Sequence, residues 1–142
     1  AEEDENWDPV TIHAEGGTTN NEYIIKFKRG AFIGLRSIYP KVHKYQVISS
    51  HISGVVDGFP HYLVGTLCPW STVTRFTLPV FRPNEYLWKH HQKQGEEKWQ
   101  TYARVIRQIM SDASGIPLLE SKIEEKFEYK GVLYPKLKKL SS

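Results

Sequence analysis

Apolar and polar positions divide the chain into a run of short elements. The opening AEEDENWD has few apolar positions, and Pro9 breaks it off. Val10, Ile12 and Ala14 then alternate with Thr11 and His13, a period of two that predicts a strand over 10–14. Glu15–Asn21 reads EGGTTNN, which favours neither helix nor strand and predicts a loop with special backbone angles. The mixed period of EYIIKFKRGAFIGL predicts an extended entry and a short helix over Lys28–Leu35. Val42, Val47, Tyr39 and Tyr45 predict a strand over 37–50, with 37–48 in the sheet and Pro40 at a bulge or edge. Phe59, Leu63 and Leu67 recur every four residues and predict a helix over 59–68, ended by Pro69. Phe76, Leu78 and Val80 share one face of a strand over 72–81, with Arg75 and Thr77 on the other. Residues 82–96 are polar and read as loop.

The clearest helix covers Glu97–Ser114. Trp99, Tyr102, Ala103, Ile106, Ile109, Met110 and Ala113 follow helical spacing, and Gly115 with Pro117 supplies the stop. A shorter helix is expected over 119–127, then a loose basic tail, PKLKKLSS. Strands interleaved with helices predict an α/β domain, a mixed sheet flanked by helices. Residues 10–128 form its body, between an acidic tail at 1–9 and a basic tail at 129–142. Its core helix should face the sheet through Trp99, Tyr102, Ile106 and Ile109.

Composition narrows the possibilities. The 142 residues are 39% hydrophobic, 13% aromatic and 25% charged, as in a globular domain and unlike a disordered chain. The single Cys excludes a disulfide within the chain and any multi-cysteine zinc site; Cys68 reads as a small buried hydrophobe. The longest strongly apolar stretch, Tyr62–Trp70, is too short to span a bilayer as a helix, and no secretory signal is visible. The net charge of +3 hides an asymmetry: beyond the first eight residues there are 19 bases against 11 acids, or +8. A basic body favours anionic partners, among them phosphates and acidic lipid surfaces. Nucleic acid is not expected, since the composition comes with no recognisable motif.

A strand that runs into a glycine loop and then a helix offers backbone N–H groups to an anion, with Lys26, Lys28 and Arg29 close behind. Bare EGG is weak, and reads better as a tight turn than as an anion site. The longer string, TIHAEGGTTNNEYIIKFKRGAFIGL, resembles the third motif of the glycerophospholipid acyltransferases, and most of all members of the lysophosphatidylcholine type. Glu15, Gly16, Thr18, Thr19 and Asn20 match its Glu-Gly-Thr loop. Phe27, Lys28, Gly30, Ala31 and Phe32 match the Phe-Lys-x-Gly-Ala-Phe segment that follows. Ile38-Tyr39-Pro40, FTLPVFRPNEY and YARVIRQIMSDASGIP extend the similarity to about residue 128.

The resemblance implies part of an acyltransferase-like domain. Glu15, Gly16, Thr18 and Thr19 would help bind the acceptor, a lysophospholipid or glycerol phosphate, with acyl-CoA as co-substrate and no other cofactor. Lys28 and Arg29 are candidates for the phosphate environment, and read equally well as a solvated helix face. The pattern is departed from at His13, Ala14 and Gly17, where the family has an aromatic, a proline and a threonine. The family's catalytic His-x4-Asp occurs nowhere in the chain. His51 and Asp57 are one residue too far apart. His91 and Glu96 have the gap but lie in the predicted loop, and His90–His91 lacks a third metal ligand. No catalytic or metal residue is therefore assigned. Two readings follow: the acceptor-binding part of an acyltransferase whose base lies elsewhere, on a second chain for instance, or an inactive structural subunit of a membrane-associated complex. Either implies peripheral contact with a membrane surface or membrane protein, with 59–70 as the expected contact segment.

Overall fold

The computed structural model describes residues 10–47, 63, 66, 67 and 70–133. It is a small α/β fold. Strands β1 (Lys41–Val47) and β2 (Ser71–Thr77) pair antiparallel, with Val42 opposite Phe76, His43 opposite Arg75 and Tyr45 opposite Val73. An Ile38–Phe81 bridge prolongs the ladder. Three helices follow: α1 (Glu85–His91), α2 (Lys98–Ser114) and α3 (Ile123–Leu133). Strand alternation sends Val42 into a buried cluster with Ile24 and Ile116. Phe32, Leu87, Tyr102, Ala103 and Ile106 form the larger cluster. At its centre Tyr102 is fully buried, and its hydroxyl donates to the Arg36 carbonyl at 2.9 Å.

Helix α2 forms as its pattern predicts. Glu97 caps it reciprocally with Gln100, and Gly115 ends it at φ 67°. Tyr102 and Ile106 are buried, while Trp99 is half-buried beside the same cluster.

Several expectations fail for physical reasons. Residues 10–13 form no strand: Val10 and Ile12 are 82% and 56% exposed, and alternation without a ladder partner holds nothing. Of Lys28–Leu35, only Arg29–Ala31 winds, as a 3-10 turn. Gly30 and Gly34 weaken a longer helix, and Leu35 leaves it at φ 47°. The polar loop over 82–96 contains α1, started by the Asn84 side chain accepting from the Leu87 N–H. The helix expected over 119–127 starts at Ile123 and continues to Leu133, into the expected tail. Of 59–68, only Leu63, Thr66 and Leu67 are described, all helical and exposed; Cys68, His51 and Asp57 lie outside the described residues. No helix among the described residues is long and apolar enough to cross a membrane.

The turn between α1 and α2 is tied by Glu96. Its carboxylate accepts from Arg104 Nε and Nη2, both at 2.9 Å, from the Thr101 hydroxyl at 2.8 Å and from the Lys93 N–H at 3.1 Å. The Arg104 hydrogen bonds are the main reason its pKa falls from 4.5 to about 2. A depressed carboxylate stabilises the fold above its ordinary pKa, and that contribution fades as pH falls from 4.5 towards about 2. Glu96→Gln should therefore cost about 1–2 kcal/mol at neutral pH, a figure moderated by the partly exposed guanidinium. The cost should shrink at pH ~3, as urea unfolding at the two pH values can show. An equal cost at both would deny the ion pair this role.

Candidate functional site

The chain turns at Ala14–Glu15 and doubles back on itself. The Gly16 N–H donates to the His13 carbonyl at 2.9 Å, and the Lys28 N–H to the Ala14 carbonyl at 2.7 Å. Glu15 closes the loop: its Oε1 accepts from the Ile25 N–H at 2.9 Å, while its Oε2 has only a long 3.5 Å contact from the Thr19 hydroxyl. Burial pushes the Glu15 carboxyl above its ordinary pKa, against the opposing pull of the Ile25 N–H, Thr19, Arg107 and His13.

Gly16 is required twice over. Its φ is +83°, and a Cβ there would meet Cδ and Cε of Lys28 at 2.8 and 2.9 Å. Lys28 lays its stem across this glycine and places its ammonium 2.7 Å from Glu124 of α3. Gly17 lies beside buried Ile123, and Lys126 Nζ donates to the Thr18 carbonyl at 2.6 Å. The loop thus rests on α3. Glu15, Gly16, Thr18, Thr19 and Lys28 come together in one place, whereas Arg29 is exposed and opens the 3-10 turn.

Arg107 anchors this arrangement, although the periodicity of α2 gave no sign of it. Its buried guanidinium donates to the Ile24 and Leu119 carbonyls and pairs with Glu120 at 2.8 Å. Residues 24–26 run beside 117–121, through Ile24 N–H to Pro117 at 2.9 Å and Lys26 N–H to Ser121 at 3.0 Å. Asn21 acts on the other side, at φ 64°. Its side-chain amide donates to the His43 carbonyl at 2.7 Å and accepts from the Tyr45 N–H at 2.9 Å, as a neighbouring strand would along β1.

A cleft of about 1080 Å³ opens against the loop. Glu15, Thr18 and Thr19 line one side; Ile24, Phe27, Phe32, Ile38, Val42 and Met110 make apolar wall. His43 also lines it, and its buried Nε2 has no hydrogen-bond partner. Sequence reasoning passed over this histidine because it sits in a strand far from the loop.

The alternative catalytic pairings do not assemble. Glu96 is engaged by Arg104, Thr101 and Lys93, and His91 offers Arg104 its backbone carbonyl, so the two make no dyad. His90 packs against Tyr86 with ring centroids 4.3 Å apart. Among the described residues, no group of three or more His, Cys, Asp or Glu is placed to hold a metal ion.

Similarity to known proteins agrees with the resemblance carried by the loop. The chain is 30% identical over 129 residues to a lysophosphatidylcholine acyltransferase of Drosophila melanogaster, covering 85% of this chain and 22% of that protein. It is 30% identical over 124 residues to lysophosphatidylcholine acyltransferase 1 of Danio rerio, covering 84% and 22%. Lysophospholipid acyltransferase LPEAT1 of Arabidopsis thaliana is 24% identical over 125 residues, covering 87% and 29%. The chain is thus lysophospholipid acyltransferase-like over most of its length, and spans between a fifth and a third of the length of these relatives. No family model matches it, and no solved structure matches it.

Proposed function

We propose that this chain supplies the acceptor-binding part of a site that transfers an acyl group from acyl-CoA to a lysophospholipid. The observation that carries this reading is the apolar cleft opening against Glu15. Its aliphatic and aromatic wall suits an acyl chain, and the polar loop at its side suits a glycerol backbone. Glu15 Oε1 is engaged by Ile25, which leaves Oε2 to accept a hydrogen bond from the acceptor's hydroxyl. Thr18 and Thr19 line the cleft beside it. Proton removal from that hydroxyl needs a base, which in this family is a histidine held by an aspartate, and no His-x4-Asp is present in these residues.

Titration with a fluorescent lysophosphatidylcholine tests the binding role. Glu15→Gln keeps a carbonyl for Ile25 and turns the other oxygen into a donor, so affinity should fall about tenfold with little change in melting. Equal affinity in both proteins would remove Glu15 from the acceptor site.

The second reading, an inactive structural subunit, draws support from Lys28. The lysine offered to an acceptor phosphate is paired with Glu124. Peripheral membrane contact belongs to both readings, and the outer face of the β1–β2 sheet suits it better than any apolar helix. That face carries Lys41 and Arg75 beside the exposed pair Tyr45 and Val73, and neither strand contains an acid. Flotation with anionic liposomes at low salt should recover the chain, and Lys41→Glu with Arg75→Glu should leave it at the bottom. Recovery unaffected by the double substitution would exclude this face.

A further inference from the structure

Arg107 carries a full positive charge into the interior, which is costly without a matching anion. The residue is 6% exposed and donates to the Ile24 carbonyl through Nη2 at 3.1 Å and Nε at 3.3 Å. That carbonyl already accepts from the Leu119 N–H at 3.1 Å, so burial alone does not call for a cation there. The ion-pair partner Glu120 has a side chain 73% exposed, where water screens the attraction. A better-shielded anion lies across one peptide group. The Ile24 carbonyl and the Ile25 N–H belong to the same planar unit and point in opposite directions. Arg107 grips the carbonyl, and Oε1 of the half-buried Glu15 accepts from the N–H at 2.9 Å. Cation, peptide dipole and carboxylate thus align head to tail, and each contact strengthens the next by polarisation. Burial pulls the Glu15 carboxyl towards its neutral form; the Ile25 N–H, the Thr19 hydroxyl, Arg107 and His13 oppose it. The nearby lysines are engaged elsewhere, Lys28 with Glu124 and Lys26 with Glu120.

We propose that Arg107 is a positioning residue for Glu15: by gripping the Ile24 carbonyl it fixes and strengthens the Ile25 N–H that holds Oε1, and so keeps the carboxylate charged with Oε2 left to the acceptor. That an acceptor uses Oε2 rests on the acyl-transfer reading above; the link from Arg107 to Glu15 does not.

Proton–nitrogen NMR of the full chain, followed against pH, tests the link with neither ligand nor turnover. Arg107 and Lys26 hold Glu120 below the ordinary carboxylate range, and burial holds Glu15 above it, so a probe that senses both shows two separate steps. The Arg107 Nε signal should show both. Glu120→Gln should remove the lower step alone; Glu15→Gln should remove the upper step from Arg107 Nε and from the Ile25 amide. In Arg107→Gln the Glu15 step, read at the Ile25 amide, should move to higher pH, since an opposite charge is lost. Arg107→Lys, which keeps the charge but not the two-pronged grip, should return it most of the way. Lysophosphatidylcholine affinity should fall about tenfold in Arg107→Gln, and that loss should vanish in a Glu15→Gln background. An arginine that only braced the fold would weaken binding equally with or without Glu15. An Arg107 Nε signal in the parent that ignores the Glu15 step would overturn the proposal, whether or not any Arg107 variant folds. So would a Glu15 step that stays in place in a folded Arg107→Gln chain, or affinity losses that simply add. If the coupling holds while Glu15→Gln leaves lysophosphatidylcholine affinity unchanged, the acceptor reading falls and the link between Arg107 and Glu15 stands.

Discussion

A chain carrying Ile106→Asp should lose its cooperative thermal transition altogether. Ile106 is 1% exposed, on the face of α2 that it shares with Tyr102 and that meets Phe32 and Leu87. Truncating a buried isoleucine alone costs about 2–5 kcal/mol. A carboxylate put there must also stay charged without a partner or take up a proton, at several kcal/mol more. The sum approaches or exceeds the ~5–15 kcal/mol that holds a typical domain together. Ile106→Val is the control: it keeps the shape and should cost only about 0.5–1.5 kcal/mol. Circular dichroism melting of both variants decides the matter. An Asp variant that melts with the parent would show that this face of α2 is not the core.

Acyl transfer by the chain alone should be indistinguishable from background. A positioned general base is typically worth about 10²–10⁴-fold, and no histidine here is followed by an aspartate with four residues between them. The assay follows thioester cleavage with acyl-CoA and lysophosphatidylcholine, for the parent and for Glu15→Gln. Turnover well above background that drops in Glu15→Gln would overturn the expectation and make His13 or His43, which line the cleft with Glu15, the base to test next. If activity appears only when a polypeptide bearing His-x4-Asp is added, and again depends on Glu15, the acceptor-site reading holds over the structural-subunit reading. Its continued absence with that addition would favour the structural subunit.

The legible parts of the fold were those with a local cause. Helix α2 announces itself through seven apolar positions at helical spacing and a Gly-x-Pro stop. Strands β1 and β2 show their β-branched and aromatic content, though their ends shifted inward where Pro40 and Pro79 stand. Helix α1 was hidden because a seven-residue element that buries only Leu87 has no periodicity to read, leaving Asn84 as its one local signal. Residues 10–14 misled in the opposite sense: the alternation is real, but no strand among the described residues makes use of it. Glu15 and Gly16 stood out through motif resemblance. What Lys28 touches did not, since Glu124 is almost a hundred residues away and a charge in sequence carries no address. Arg107 escaped notice because its cation fills the seam between core and loop, where helical periodicity counts it as merely polar.

The Glu15 loop rests on the far end of the chain: Gly17 on Ile123, Lys28 on Glu124, the Thr18 carbonyl on Lys126, and Ile24 on the 117–121 segment. This has a consequence for the order of events during synthesis. At roughly 5–20 residues per second, the ribosome delivers Glu15 several seconds or more before the helix that steadies it. Until then the loop lacks its floor and the Arg107 guanidinium has only half of its carbonyl partners. The settled Glu15 loop is accordingly among the last features of this chain to form. A nascent chain halted after α2 would hold its central core while Glu15 remained without a settled place.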